Sequence, residues 1–116
     1  MTTLYSAMDR PVELALDDLW VYVVTFDGGG LDRVAKSGGV PVLLKAGLLN
    51  PSGLVVDGNR AWVAESGKKA INEININSGV STYRFINGGY PAHTAQNTTT
   101  IVWADPLLQR VYAMKK

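Results

Sequence analysis

The chain has 116 residues, a length typical of a single domain. Its 11 basic and 10 acidic residues leave a net charge of +1, which gives no reason to expect a nucleic acid, a membrane surface or an acidic substrate as a partner. The absence of cysteine excludes disulfides and thiolate metal sites.

An internal repeat of forty residues organises the sequence. Pro11, Pro51 and Pro91 are spaced by forty residues, and no gap is needed to keep the units in register. The same shift aligns turn residues and apolar residues: Asp17, Asp57 and Asn97; Leu31, Ile71 and Val111; Val34, Ile74 and Met114; Gly39 and Gly79.

Each full unit contains four short apolar runs separated by turn residues. In the first unit these runs predict strands over 12–16, 19–25, 31–35 and 42–45, with the proline opening the innermost strand. Residues 20–24 are apolar on both faces of their strand, so the sheet must be covered on both sides. This pattern predicts an all-β chain built as a β-propeller of four-stranded blades.

The middle unit resembles a known repeat. Residues 51–67 read Pro-Ser-Gly-Leu-Val-Val-Asp-Gly-Asn-Arg-Ala-Trp-Val-Ala-Glu-Ser-Gly. This stretch is similar to NHL-type repeats, which begin Pro-x-Gly-Ile-Ala-Val-Asp and continue Tyr-Val-Ala-Asp-Ser-Gly, and to the related YWTD-type and gluconolactonase-like blades. The first unit matches fairly through 11–17, and the third less well because Asn97 replaces the aspartate. The resemblance implies a six-bladed ring.

The two ends of the chain predict how such a ring closes. Residues 1–10 correspond to an outer strand, 11–50 and 51–90 to complete blades, and 91–116 to the first three strands of a third blade. Three blades are too few for a ring. We therefore expect a homodimer in which residues 1–10 complete the last blade of the partner, although a fragment of a longer protein or a designed half-propeller would give the same pattern.

The location of the protein is expected to be cytoplasmic by default. No apolar run approaches the ~20 residues that cross a bilayer. The N-terminus also lacks the basic start and apolar core of a signal peptide.

The third residue of each unit is expected to line the central channel. It is Glu13, Gly53 and His93 in the three units, and His93 is the chain's single histidine. An imidazole and a carboxylate can hold a divalent metal or exchange protons near neutral pH. The resemblance implies channel-mouth histidines, as in some related lyases, but the metal ligands of the gluconolactonase-like enzymes have no match here. Solvated channel lining is the alternative.

Two further polar residues follow on the third innermost strand. Thr94 and Gln96 stand where the other units have apolar residues, which indicates a binding surface, a subunit junction or a frayed strand, with the structural explanations favoured. Polar residues that recur once per unit are expected to be structural, as at turns and strand ends: Asp17, Asp57 and Asn97; Thr25, Glu65 and Asp105.

Three functions fit these features. The leading hypothesis is a non-enzymatic binding or scaffold module, with a protein or small-molecule ligand at the channel mouth or on a ring face. The second is a metal-dependent lyase or lactonase that uses His93 and Glu13. The third is a small oligomeric lectin in which Trp20, Trp62 and Trp103 stack on sugars, although core packing is the commoner use of tryptophan.

Overall fold

A computed structural model describes residues 1–86 and 89–116, and in this part of the chain there are eleven β-strands and no helix. The all-β prediction is therefore confirmed. Residues 87 and 88, within the predicted second unit, lie outside the described residues. The strands are β1 (Pro11–Leu16), β2 (Trp20–Thr25), β3 (Gly30–Ala35), β4 (Val42–Lys45), β5 (Pro51–Asp57), β6 (Arg60–Glu65), β7 (Ala70–Asn75), β8 (Ser81–Ile86), β9 (Ala92–Gln96), β10 (Thr100–Asp105) and β11 (Arg110–Lys115).

The strands form three antiparallel sheets that follow the forty-residue repeat. Sheet 1 has the order β1-β2-β3-β4, sheet 2 the order β5-β6-β7-β8, and sheet 3 the order β9-β10-β11. Pro11 and Pro51 open β1 and β5, and Pro91 immediately precedes β9. Among the described residues no helical segment is available to cross a membrane.

The turns between first and second strands are fixed by side chains at the repeated acidic position. Asp17 Oδ1 accepts hydrogen bonds from the backbone N–H groups of Leu19 and Trp20, at 2.9 and 2.8 Å. Asn97 Oδ1 accepts the equivalent pair from Thr99 and Thr100, both at 2.9 Å. The predicted capping role is confirmed at these two turns.

The hairpins between second and third strands all contain a residue with left-handed backbone, although the residue types at this position differ. Gly29, Lys69 and Gln109 are forty residues apart and have φ angles of 63°, 57° and 55°. Left-handed backbone is ordinary for glycine but costs a residue with a side chain about 1–2 kcal/mol. The repeat therefore imposes its turn geometry even where a lysine or a glutamine occupies the position.

Sheet 2 lies between the other two sheets and is covered on both faces, as its apolar strands predict. One face packs on sheet 1 and the other on sheet 3, because neighbouring residues of a strand point to opposite sides. Leu54 and Val63 belong to the first core, whereas Val55 and Trp62 belong to the second.

The outward faces of sheets 1 and 3 have no third sheet against them in the described part of the chain, so the single chain does not form a closed ring. Edge strand β11 pairs only with β10. Residues 1–10 contain no strand. Their predicted pairing concerns a second copy and stays a prediction.

Candidate functional site

The candidate site lies on the first strands of the three sheets, which run side by side, β5 between β1 and β9. Each first strand carries a β-bulge near its start, at 11–13 in β1, at 51–53 in β5 and at 92–94 in β9. Bulges redirect side chains locally and are common beside binding sites. The bulge leaves one residue of each first strand out of register, which is Val12 in β1, Ser52 in β5 and His93 in β9.

The structure brings Glu13 and His93 together. His93 Nδ1 lies 3.2 Å from Glu13 Oε1, although the two residues are on different sheets and eighty positions apart in the chain. Gly53, on the strand between them, carries no side chain that could separate the two. The predicted pairing of these two groups at one site is a feature of the single chain.

The pair is accessible and its histidine has an unusual backbone. The His93 side chain is 80% exposed and that of Glu13 is 26% exposed. His93 has a φ of 45°, in the left-handed region that few residues with side chains adopt. Such backbone is concentrated at functional sites, where the surrounding structure holds it in place.

The contact defines which nitrogen of the imidazole is available. In the neutral tautomer that carries its proton on Nδ1, His93 donates a hydrogen bond to the Glu13 carboxylate and Nε2 keeps its lone pair. Nε2 can then accept a proton, accept a hydrogen bond or bind one metal ion, with Glu13 orienting the ring from behind. Within the described residues no group of three or more histidine, aspartate or glutamate side chains is assembled in a metal-binding arrangement.

Thr94 and Gln96 face sheet 2 of their own chain. The Thr94 methyl group lies 2.8 Å from the position that a Cβ on Gly53 would take, so the glycine makes room for the threonine. Gln96 Nε2 donates a 2.7 Å hydrogen bond to the Val56 carbonyl. Both polar residues therefore make contacts between sheets 2 and 3 of the single chain, and their predicted role at a subunit junction stays a prediction. Gln96 remains exposed, but Thr94 Oγ1 is buried and has no hydrogen-bond partner among the described residues.

Two of the recurring polar residues at the ends of second strands, Glu65 and Asp105, hold the chain where it enters the first strand of the same sheet. Glu65 is buried, and its carboxylate accepts hydrogen bonds from the Leu49 backbone N–H at 2.8 Å and from Asn72 Nδ2 at 3.0 Å. Asp105 in sheet 3 accepts the Tyr90 backbone N–H at 3.1 Å, the same type of contact one unit later. Their predicted structural role is confirmed.

The tryptophans are core residues in two of three cases. Trp62 and Trp103 are buried between sheets 2 and 3, where Phe85 and Tyr112 surround Trp103 at ring-centroid distances of 5.1 and 5.5 Å. Trp20 is half-buried and its ring is covered by the Arg33 guanidinium at 4.2 Å. The buried rings of Trp62 and Trp103 therefore present no open face for stacking on a sugar.

Comparison with known proteins identifies the fold and nothing about function. No family model matches the sequence, and no curated protein matches it. Among solved structures, the chain is similar to the crystal structure of the computationally designed Ika4 protein, with a TM-score of 0.71 and 13% sequence identity. The match covers 90% of this chain and 65% of that one, so the chain spans about two-thirds of the designed protein. At this identity the likeness concerns the fold alone.

Proposed function

We propose that the chain is half of a six-bladed β-propeller, that a second copy closes the ring, and that the ring is a non-enzymatic binding or scaffold module. Its ligand, a protein or a small molecule, would meet the ring at the channel mouth beside Glu13 and His93. The resemblance to NHL-type repeats and the forty-residue period support the propeller.

The observation that carries the closure is a contrast between equivalent residues of the repeat. Leu54 is 3% exposed against sheet 1, whereas its equivalent Leu14 on the outward face of sheet 1 is 62% exposed. Ile71 is fully buried against sheet 3, whereas its equivalent Val111 on sheet 3 is 78% exposed. The position of Ile71 is apolar in all three units, and that of Leu54 is apolar in the first two. In both comparisons the exposed residue is the one on an outward face, where no sheet covers it among the described residues.

A second copy is the partner that fits both open faces. The outward face of sheet 3 is equivalent in the repeat to the face of sheet 2 that packs on sheet 3. The outward face of sheet 1 is equivalent to the face of sheet 3 that packs on sheet 2. Two copies related by a twofold axis would join the two faces at both junctions, in the commonest symmetry of oligomers. Extended apolar patches of this kind mark interaction surfaces.

The binding role rests on the exposed Glu13–His93 pair. A rigid strand framework that presents a few polar groups in a fixed orientation is typical of ligand sites. In the proposed ring two such pairs would face one channel.

Sedimentation equilibrium at micromolar concentration tests the closure. The proposal requires about twice the chain mass of 12.5 kDa. Val111→Lys places a charge on the open face of sheet 3 and should return the mass to that of one chain. Val80→Lys is the matched control, since Val80 is also an exposed valine but lies in a turn of sheet 2. An unmodified chain that sediments at 12.5 kDa refutes the ring.

A metal-dependent lyase or lactonase is the second candidate. It is favoured by the contact of Glu13 with Nδ1 of His93, which leaves Nε2 available to a metal ion. Calorimetric titration with Zn²⁺ tests it. Binding that is lost in His93→Ala and weakened in Glu13→Gln would support this candidate. No heat in the unmodified chain, or equal heat in His93→Ala, would remove it.

A further inference from the structure

The N-terminal segment already lies where the outer strand of a preceding sheet belongs. The Leu4 carbonyl oxygen accepts a 3.4 Å hydrogen bond from the Gly39 backbone N–H. Forty residues later, the Leu44 carbonyl oxygen on β4 lies against Gly79, 3.3 Å from where a Cβ would stand. Leu4 therefore lies beside sheet 1 in the same way that Leu44, on β4 of sheet 1, lies beside sheet 2.

The residues that connect this segment to β1 repeat the same geometry. The Phe26 backbone N–H donates to the Arg10 carbonyl at 2.9 Å, and the Ser66 N–H donates to the Asn50 carbonyl at 3.1 Å. Arg10 and Asn50 have φ angles of 56° and 50°, both in the left-handed region. The path from outer strand to next sheet is thus the same in both places.

Tyr5 matches an aromatic residue of the repeat. It lies in an apolar groove with Val23 and Val34 on the outward face of sheet 1. Its equivalent in sheet 2 is Phe85, whose ring packs on Trp103, the repeat equivalent of Val23, at a centroid distance of 5.1 Å. Tyr5 therefore packs on sheet 1 in the way that Phe85, on the outer strand of sheet 2, packs on sheet 3.

The strands that this segment should join are absent beside it. Its own β11 belongs to sheet 3, and sheet 2 lies between sheet 3 and sheet 1. Edge strand β11 in turn has a free side where sheets 1 and 2 have a fourth strand. A second copy can therefore bring the segment and the edge together.

Resting on the two-copy ring proposed above, we infer that residues 2–6 of each copy form the fourth strand of the other copy's sheet 3, antiparallel to β11. The register follows from sheets 1 and 2, where Arg33 faces Val42 and Glu73 faces Thr82. The forty-residue shift places Ala113 opposite Thr2. The remaining pairs follow in the same way, with Tyr112 opposite Thr3 and, beyond the bulge that both existing sheets contain, Val111 opposite Tyr5.

Cysteine cross-linking tests both the exchange and its register, because the chain has no cysteine of its own. Thr2 and Ala113 are exposed, so Thr2→Cys and Ala113→Cys leave the cores intact. Directly opposed residues of an antiparallel pair lie within the distance that a disulfide spans. The double variant should form a covalent dimer on mild oxidation, and a mixture of the two single variants should form a covalent heterodimer.

The control shifts one cysteine by a single position. Thr3→Cys with Ala113→Cys places the two side chains on opposite faces of the sheet, so its covalent dimer should be lower by on the order of ten-fold. Equal yields in both double variants would overturn the register. A disulfide within one chain would overturn the exchange.

The result also separates this inference from the ring itself. A double variant that sediments as two copies without a cross-link would overturn the exchange and leave the ring standing. A mass of one chain before oxidation would refute both.

Discussion

Replacing Leu14 by alanine tests the covering of sheet 1 by a second copy. Burying a whole leucine side chain is worth about 1.5–3 kcal/mol. Leu14 is 62% exposed in the single chain, so a covering sheet adds about 1–2 kcal/mol in each copy. A ring contains two such sites, and Leu14→Ala should weaken the association by about 2–4 kcal/mol, roughly 30- to 700-fold in Kd.

Sedimentation equilibrium in a urea series measures this dissociation constant. Leu54→Ala is the matched control, since Leu54 is 3% exposed and its partners are in its own chain. That change should lower the stability of each chain by about 2–5 kcal/mol. If nothing covers sheet 1, Leu14→Ala will change stability by less than about 0.5 kcal/mol and leave the mass unchanged. That outcome would refute the inference that the exposed Leu14 is covered by a second copy in the way that Leu54 is covered within the chain.

Three further changes probe the framework of the site. Gly53→Ala brings a Cβ to 2.8 Å from the Thr94 methyl group and should lower the free energy of unfolding, measured in urea, by about 1–3 kcal/mol. Adding Thr94→Ala should restore much of this loss. An unchanged urea midpoint in Gly53→Ala would contradict the close contact. Glu65→Ala leaves the buried Asn72 amide and the partly buried Leu49 N–H without their acceptor and should cost about 3 kcal/mol. A neutral result would mean that the carboxylate is not needed there. The hydrogen bond from the Tyr22 hydroxyl lowers the pKa of the Asp17 carboxyl in the folded state. The ionised carboxylate therefore stabilises the fold above the pKa of the unfolded state, at about pH 4, and this stabilisation is lost as the pH falls through the folded-state pKa. Tyr22→Phe should raise the pKa of Asp17 in an NMR titration and make stability fall less on acidification; an unmoved titration would contradict this.

Much of the fold could be predicted from the sequence because each signal is local. The predicted strands of the first unit begin within one residue of the observed ones and end at the same residues. Strand alternation marks the buried runs, and aspartate, asparagine and glycine mark the turns. The left-handed backbone at Lys69 and Gln109 could not be predicted, since neither side chain favours it and only the repeated turn imposes it.

The site could be predicted in part. The third-residue rule selects Glu13 and His93, which are in contact, but it gives neither the distance nor the left-handed backbone of His93. The same pattern does not reveal which way Thr94 and Gln96 face. Their contacts with Gly53 and Val56 depend on how sheets 2 and 3 approach each other, which is a property of packing rather than of one strand.

Small-angle X-ray scattering of the unmodified chain tests the two-copy ring most directly, because it reports mass and size together. The single chain has a Cα radius of gyration of 13.5 Å and a mass of 12.5 kDa. The ring predicts twice that mass and a radius of gyration of about 17 Å, the value expected for a compact body of two chains. A mass of 12.5 kDa with a radius near 13.5 Å would contradict the ring.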